Sequence, residues 1–183
     1  VKINRSTKLS LKFATASKHQ ELCRVLDEYA RVVNMFIDRF WENCPKKAEL
    51  LKPVVGSVDS WFGARMRKVA AREAIDMVKS SKSLKGGKPK HSGKRMCVSS
   101  TIAQLQPVKA ADEFDAWLHL YSIGGGVILD FPVRFHKHFN KLSERGKRLE
   151  SYVITRSSVQ LCFEIETHGY QGARQPLHRG AAG

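Results

Sequence analysis

Residues 8–40, KLSLKFATASKHQELCRVLDEYARVVNMFIDRF, decide the fold because the apolar period changes inside them. Leu9, Leu11 and Phe13 alternate with Lys8, Ser10 and Lys12 over residues 8–14, the period of a half-buried strand. Ser17 then offers a helix N-cap. Leu22, Val25, Leu26, Tyr29, Val32, Val33, Phe36, Ile37 and Phe40 follow at steps of three and four, which predicts an amphipathic helix to about Glu42, before Pro45. A strand that runs into a long helix, with further strands only later, predicts an α+β chain.

Working outward, a second helix is expected from near Ser57, with Phe62, Met66, Val69, Ala70, Ala74 and Met77 on its apolar face. Arg65, Lys68, Arg72 and Lys79 fall together on its other face. Residues 80–95, SSKSLKGGKPKHSGKR, have the composition of a flexible loop, carrying Lys82, Lys85, Lys88, Lys90, Lys94, Arg95 and His91 with no acid. Strands are then expected over 97–105, 114–123, 127–133, 149–155 and 159–166, which are β-branched or aromatic and separated by turn residues. Gly124, Gly125 and Gly126 predict one hairpin turn, and Arg156, Ser157 and Ser158 another. The expected architecture is an oligonucleotide-binding-like antiparallel barrel with an inserted helical domain. Its first strand would lie in residues 1–16, the helical domain with its basic loop in 17–95, the remaining strands in 96–167, and an irregular tail in 168–183.

Thirty-two Lys and Arg against 17 Asp and Glu leave a net charge of +15, which points to a polyanionic partner. The basic stretches carry no apolar anchor and no run of about 18 apolar residues spans a bilayer, so nucleic acid is favoured over membrane. The opening VKINRSTKLSLKF lacks the apolar core of a signal peptide, and the expected location is cytoplasmic, with the nucleoid. Cys23, Cys44, Cys97 and Cys162 are scattered without a C-x-x-C pair and are expected as reduced, mostly buried thiols.

The segment RFHKHFNKL, residues 134–142, places His136 and His138 one residue apart between bases. A metal site would need further ligands, and neither Cys162 nor His119 stands at a spacing that predicts convergence. A short helix from about Phe135 is expected instead. Arg134, Lys137, Lys141, Arg145, Lys147 and Arg148 would neutralise phosphates there, and His136, His138 and Asn140 would bond phosphate or sugar oxygens. The bland alternative is a solvated basic helix; three separate basic segments in one chain argue against it. Phe135 and Phe139, four apart, suit a core better than a stacking platform. The acids Asp112, Glu113 and Asp115 form the one dense acidic cluster and are expected at the surface rather than on a metal. No phosphate-loop motif is present.

Four blocks taken in order carry a family resemblance. TKLSLKF (7–13), YARVVNMFIDRFW (29–41), WFGARMRKVAAREAIDMVKSSKS (61–83) and the stretch from FDAWLHLYSIGGG to QLCFEIE (114–166) resemble the N-terminal part of TnpB or OrfB proteins. These are transposon-encoded RNA-guided nucleases related to type V CRISPR effectors. The resemblance implies a barrel-type wedge domain interrupted by a helical recognition domain, both holding a structured guide RNA and its paired target DNA. It would set Arg65, Arg72 and Lys79 toward nucleic acid from the recognition helix, and His136, Lys137, Asn140 and Lys141 from the wedge.

The chain departs from that family after Glu166, its last acidic residue, because THGYQGARQPLHRGAAG holds no carboxylate and no G-[IV]-D-x-G strand. The expectation is therefore an RNA-binding chain that does not cut DNA by itself and holds no cofactor. Magnesium would enter only if a second polypeptide completed a nuclease site. Two alternatives stand beside it: half of a split RNA-guided endonuclease, and a general single-strand nucleic-acid-binding module. The expected partners are a structured non-coding RNA, target DNA and a nuclease-bearing polypeptide.

Overall fold

The computed structural model describes residues 1–108 and 113–166. The expected tail and Asp112 lie outside the described residues. A strand β1 (Lys2–Ser10) leads into helix α1 (Ala16–Phe40), then a 3-10 turn (Lys47–Glu49), a short helix α2 (Lys52–Gly56) and helix α3 (Ala64–Ser83). Strands β2 (Arg95–Ser99), β3 (Ala103–Pro107), β4 (Ala116–Leu120) and β5 (Leu129–Val133) follow, then helix α4 (Lys137–Arg145) and strands β6 (Gly146–Thr155) and β7 (Ser158–Glu166).

The nine apolar positions named for the first helix are the nine that α1 buries. Its start differs by two residues. Thr15, not Ser17, is the N-cap, its hydroxyl accepting from the Lys18 amide at 3.4 Å. Pro53 opens α2, an element the sequence reading did not resolve.

The strands form two antiparallel sheets, one ordered β1-β7-β6-β2 and one ordered β3-β4-β5. The expected barrel is not present: no strand of one sheet pairs with a strand of the other among the described residues, so neither sheet closes. Two local features account for this. The stretch read as one strand over 97–105 is broken by a hydroxyl-rich corner, where Ser99 and Thr101 side chains bond at 2.9 Å and the Ser100 amide donates to the Glu150 carbonyl at 3.1 Å. That corner sends β2 into one sheet and β3 into the other. The three-stranded sheet, in turn, has Pro107 on one outer strand and Pro132 on the other, residues with no amide proton to extend a ladder.

β1 begins earlier than the alternation suggested and pairs with β7 from Lys2↔Glu166 to Ser10↔Ser158. Its outer edge is closed at one point by the ring of His136, whose Nε2–H donates to the Lys8 carbonyl at 2.9 Å. β6 and β7 form the expected hairpin across Arg156 and Ser157. The glycine loop between β4 and β5 is wider than a hairpin turn and docks against the residues before α3. A Cβ on Gly124, at φ 123°, would sit 2.3 Å from the Gly63 nitrogen, and that amide donates to the Ile123 carbonyl at 2.7 Å.

One continuous core runs through both sheets and the helices, joining Leu26, Tyr29 and Phe36 of α1 to Ala70 and Ile75 of α3 and to Phe131 and Phe163 of the sheets. α3 is rotated relative to the expected face: Met66, Ala70, Ala71, Ala74, Ile75 and Val78 are buried, whereas Val69 and Met77 are only partly covered. No helix among the described residues is long and apolar enough to cross a membrane. The four cysteines are free and half-buried rather than mostly buried.

Candidate nucleic-acid interface

α4 lies along β1 and β7 at one end of the four-stranded sheet, and α3 packs near β2 at the other. The basic residues named from the sequence therefore divide into two surfaces.

The first is a cleft between β1 and α4. A cavity of about 360 Å³ is floored by Ile3, Leu142 and Ile165 and walled by Arg5, His138, Lys141 and Arg145. No acid lines it. Arg5, Lys141 and Arg145 make no side-chain hydrogen bond or ion pair among the described residues. Four cationic or proton-donating groups over an apolar floor, with nothing inside the protein to neutralise them, suit a phosphate backbone. Helix periodicity brings His138, Lys141 and Arg145 onto one face, at steps of three and four. Arg5 joins them because Ile3, Arg5, Thr7 and Leu9 alternate onto one face of β1. Sequence reasoning missed Arg5. The signal was weak, since residues 2–7 show no clean apolar alternation and become a strand through their register with β7.

His136 sits beside the cleft in a different role. It is the N-cap of α4, its Nδ1 accepting from the Phe139 amide at 3.3 Å. With Nδ1 accepting, the ring proton is on Nε2, which donates to the Lys8 carbonyl. Both ring nitrogens are thus engaged within the protein. The His138 ring lies parallel to it at 6.2 Å. Phe139 is 4% exposed and packs inward against Phe163, while Phe135 stacks on Phe139 at 4.1 Å. Lys137 and Asn140 are exposed but do not line the cleft, and Arg148 is half-buried on β6.

The second surface is the basic stripe of α3. Lys68, Arg72 and Lys79 are exposed, with side chains unpaired among the described residues. Arg65 donates to the Ser122 hydroxyl at 3.3 Å. The following loop is more ordered by contacts than its composition suggested. Lys82 lies 5.3 Å over the Trp41 ring, Lys88 pairs with Asp38 at 2.5 Å, and Lys85 and Lys90 stay exposed. His91 anchors the loop: its backbone amide donates to Asn34 Oδ1 at 2.8 Å and its carbonyl accepts from Asn34 Nδ2 at 3.2 Å.

Behind that anchor is a buried polar network. Tyr29 donates to Glu73 Oε2 at 2.5 Å, and His91 Nε2 lies 3.5 Å from Glu73 Oε1. Burial pushes the Glu73 carboxyl upward, but bonds from His91 and Tyr29, with the nearby Arg95 charge, outweigh it and hold the group below its ordinary value. Burial, reinforced by Glu73, pushes the Tyr29 phenol well above its usual range. The network fixes α1, α3 and the loop to one another.

Arg134 is exposed, but its side chain is engaged by neighbouring groups of the protein. It lies over the Phe13 and Phe114 rings at 5.1 and 5.5 Å and bonds Glu113 at 3.2 Å. Asp115 accepts from the Phe135 amide at 2.6 Å, and His119 pairs with Asp130 across β4 and β5. Among the described residues, no three His, Cys, Asp or Glu side chains converge on a point that could hold a metal ion.

No family model matches the chain, and no curated protein is similar enough to count as a relative. The resemblance to TnpB-like proteins therefore rests on the residues alone.

Proposed function

We propose that this chain binds a structured RNA, gripping its backbone through the cleft between β1 and α4. The observation that carries the reading is the cleft itself: Arg5, Lys141 and Arg145, unpaired among the described residues, stand with His138 over Ile3, Leu142 and Ile165. The exposed stripe of Lys68, Arg72 and Lys79 adds a second contact surface at the far end of the sheet, and the net charge of +15 favours a polyanion throughout. The sequence blocks resembling the N-terminal part of TnpB-like proteins make the favoured RNA a guide-type non-coding RNA, alone or paired with target DNA. The inward packing of Phe139, with Phe135 stacked on it, favours this backbone grip over a general single-strand module, which would present its aromatic rings to stacked bases.

Sequencing the RNA that co-purifies with the protein from cells tests the proposal. A discrete non-coding RNA, retained at salt levels where generic binding is lost, is the expected result. A mixture reflecting cellular RNA abundance would refute it. A stably bound second polypeptide with magnesium-dependent cleavage would extend the role to one half of an endonuclease.

A further inference from the structure

Between α3 and β2 lies a cavity of about 810 Å³ that the backbone grip does not use. Its size falls within the range of sites that enclose a small organic group. Val69, Met77 and Val98 form an apolar floor, and Leu84, 79% exposed, stands at its edge. Val69 and Met77 are the residues that the rotation of α3 leaves only partly covered. Lys47 and Asp76, also in the lining, neutralise each other at 2.7 Å. Glu73 is tied back by Tyr29 and His91. That leaves Arg72 and Arg95 as cations without an ion pair among the described residues, both bordering an apolar hollow.

The occupant must bring an anion for two guanidinium groups and a flat, largely apolar body for the floor. A nucleotide does both, and base burial beside Arg-bound phosphate is a recurrent mode of RNA recognition. Arg72 also belongs to the exposed stripe with Lys68 and Lys79, so a backbone following α3 passes the mouth of the cavity. We infer that this groove takes one unpaired nucleotide of the bound RNA, its base on Val69 and Met77 and its phosphate on Arg72 and Arg95. The inference rests on the RNA-binding reading and assigns a preference for an extruded base that the cleft at α4 does not supply.

The test compares two short RNA duplexes that share their paired sequence, one fully paired and one carrying an additional single bulged 2-aminopurine, against the intact protein. The bulged duplex is expected to bind about tenfold tighter, the scale of one buried base, with a change in 2-aminopurine fluorescence. Leu84→Asp and Met77→Asp are each expected to remove that preference while leaving the paired duplex bound within about twofold. Leu84 is exposed, so its variant tests the groove even where Met77→Asp disturbs folding. Equal binding of both duplexes by the wild type, or a preference that survives Leu84→Asp, overturns the inference and leaves the cleft intact as a proposal. Failure of both duplexes to bind overturns the inference and the RNA-binding reading together.

Discussion

Replacing Arg5, Lys141 and Arg145 together by Ala removes three of the four polar groups that wall the cleft between β1 and α4. None of the three side chains bonds elsewhere among the described residues, so the substitution breaks no internal pair. Each phosphate contact contributes a slope of about −0.9 to log affinity against log salt on a duplex. Three contacts contribute about −2.7, which over a fourfold rise in salt amounts to roughly a 40-fold loss of affinity. The triple variant should therefore be weaker at low salt but lose about 40-fold less than the wild type between about 50 and 200 mM. Fluorescence anisotropy of a labelled RNA across that salt range reads both quantities, and a thermal melt confirms the fold. A control, Lys137→Ala, removes an exposed cation of the same helix outside the cleft and should change the slope by less than one unit. An unchanged slope in the triple variant, or an equal change in the control, refutes the assignment of the cleft.

His136→Ala should destabilise the protein by about 1–2 kcal/mol, since it removes the α4 cap and the bond to the β1 edge; urea unfolding checks this, with RNA affinity of the residual folded protein little changed. Phe139→Ala should cost about 3–5 kcal/mol as a core truncation, and Phe135→Ala clearly less; comparable small effects would mean that Phe139 does not pack inward. Glu73→Gln should cost about 1–2 kcal/mol at neutral pH by weakening the His91 and Tyr29 contacts. Because the folded protein holds the Glu73 carboxyl below its ordinary 4.5, its stabilisation is complete above that value and lost as pH falls through the folded one. The gap between wild type and Gln variant, measured by urea unfolding, should accordingly narrow on acidification from about pH 6 to about pH 3.

The buried face of α1 was legible because it follows from a local period: all nine residues at steps of three and four are covered, although its N-cap was misplaced by two residues. β7 was legible for the same reason, with Val159, Leu161 and Phe163 alternating into the core. The closed barrel was not legible as wrong, since an apolar run with two internal serines and a threonine reads as one strand until the Ser100 amide is seen bonding Glu150. Likewise, Val69 and Met77 fit an apolar helical face by spacing; only the packing of α1 on α3 decides that Ala71, Ile75 and Val78 take the core instead. For the candidate site, His138, Lys141 and Arg145 could be read from their spacing, but Arg5 lies more than a hundred residues away and reaches them only through the β1–β7 register. His136 shows the opposite failure: its chemistry was visible, and its commitment to a cap and a strand edge was not.

The pairing of β1 with β7 also orders events during synthesis. The two strands are separated by roughly 150 residues, so a ribosome adding about 5–20 residues per second leaves β1 without its partner for roughly 8–30 seconds. α1 and α3, whose contacts span shorter loops, can associate well before then. Over that interval β1 is an open edge, available to any other extended chain. Lys2, Arg5 and Lys8 place like charges along it and oppose such encounters. The arginine proposed to meet phosphate in the finished protein is thus one of the groups that keep its strand solitary until the last hairpin emerges.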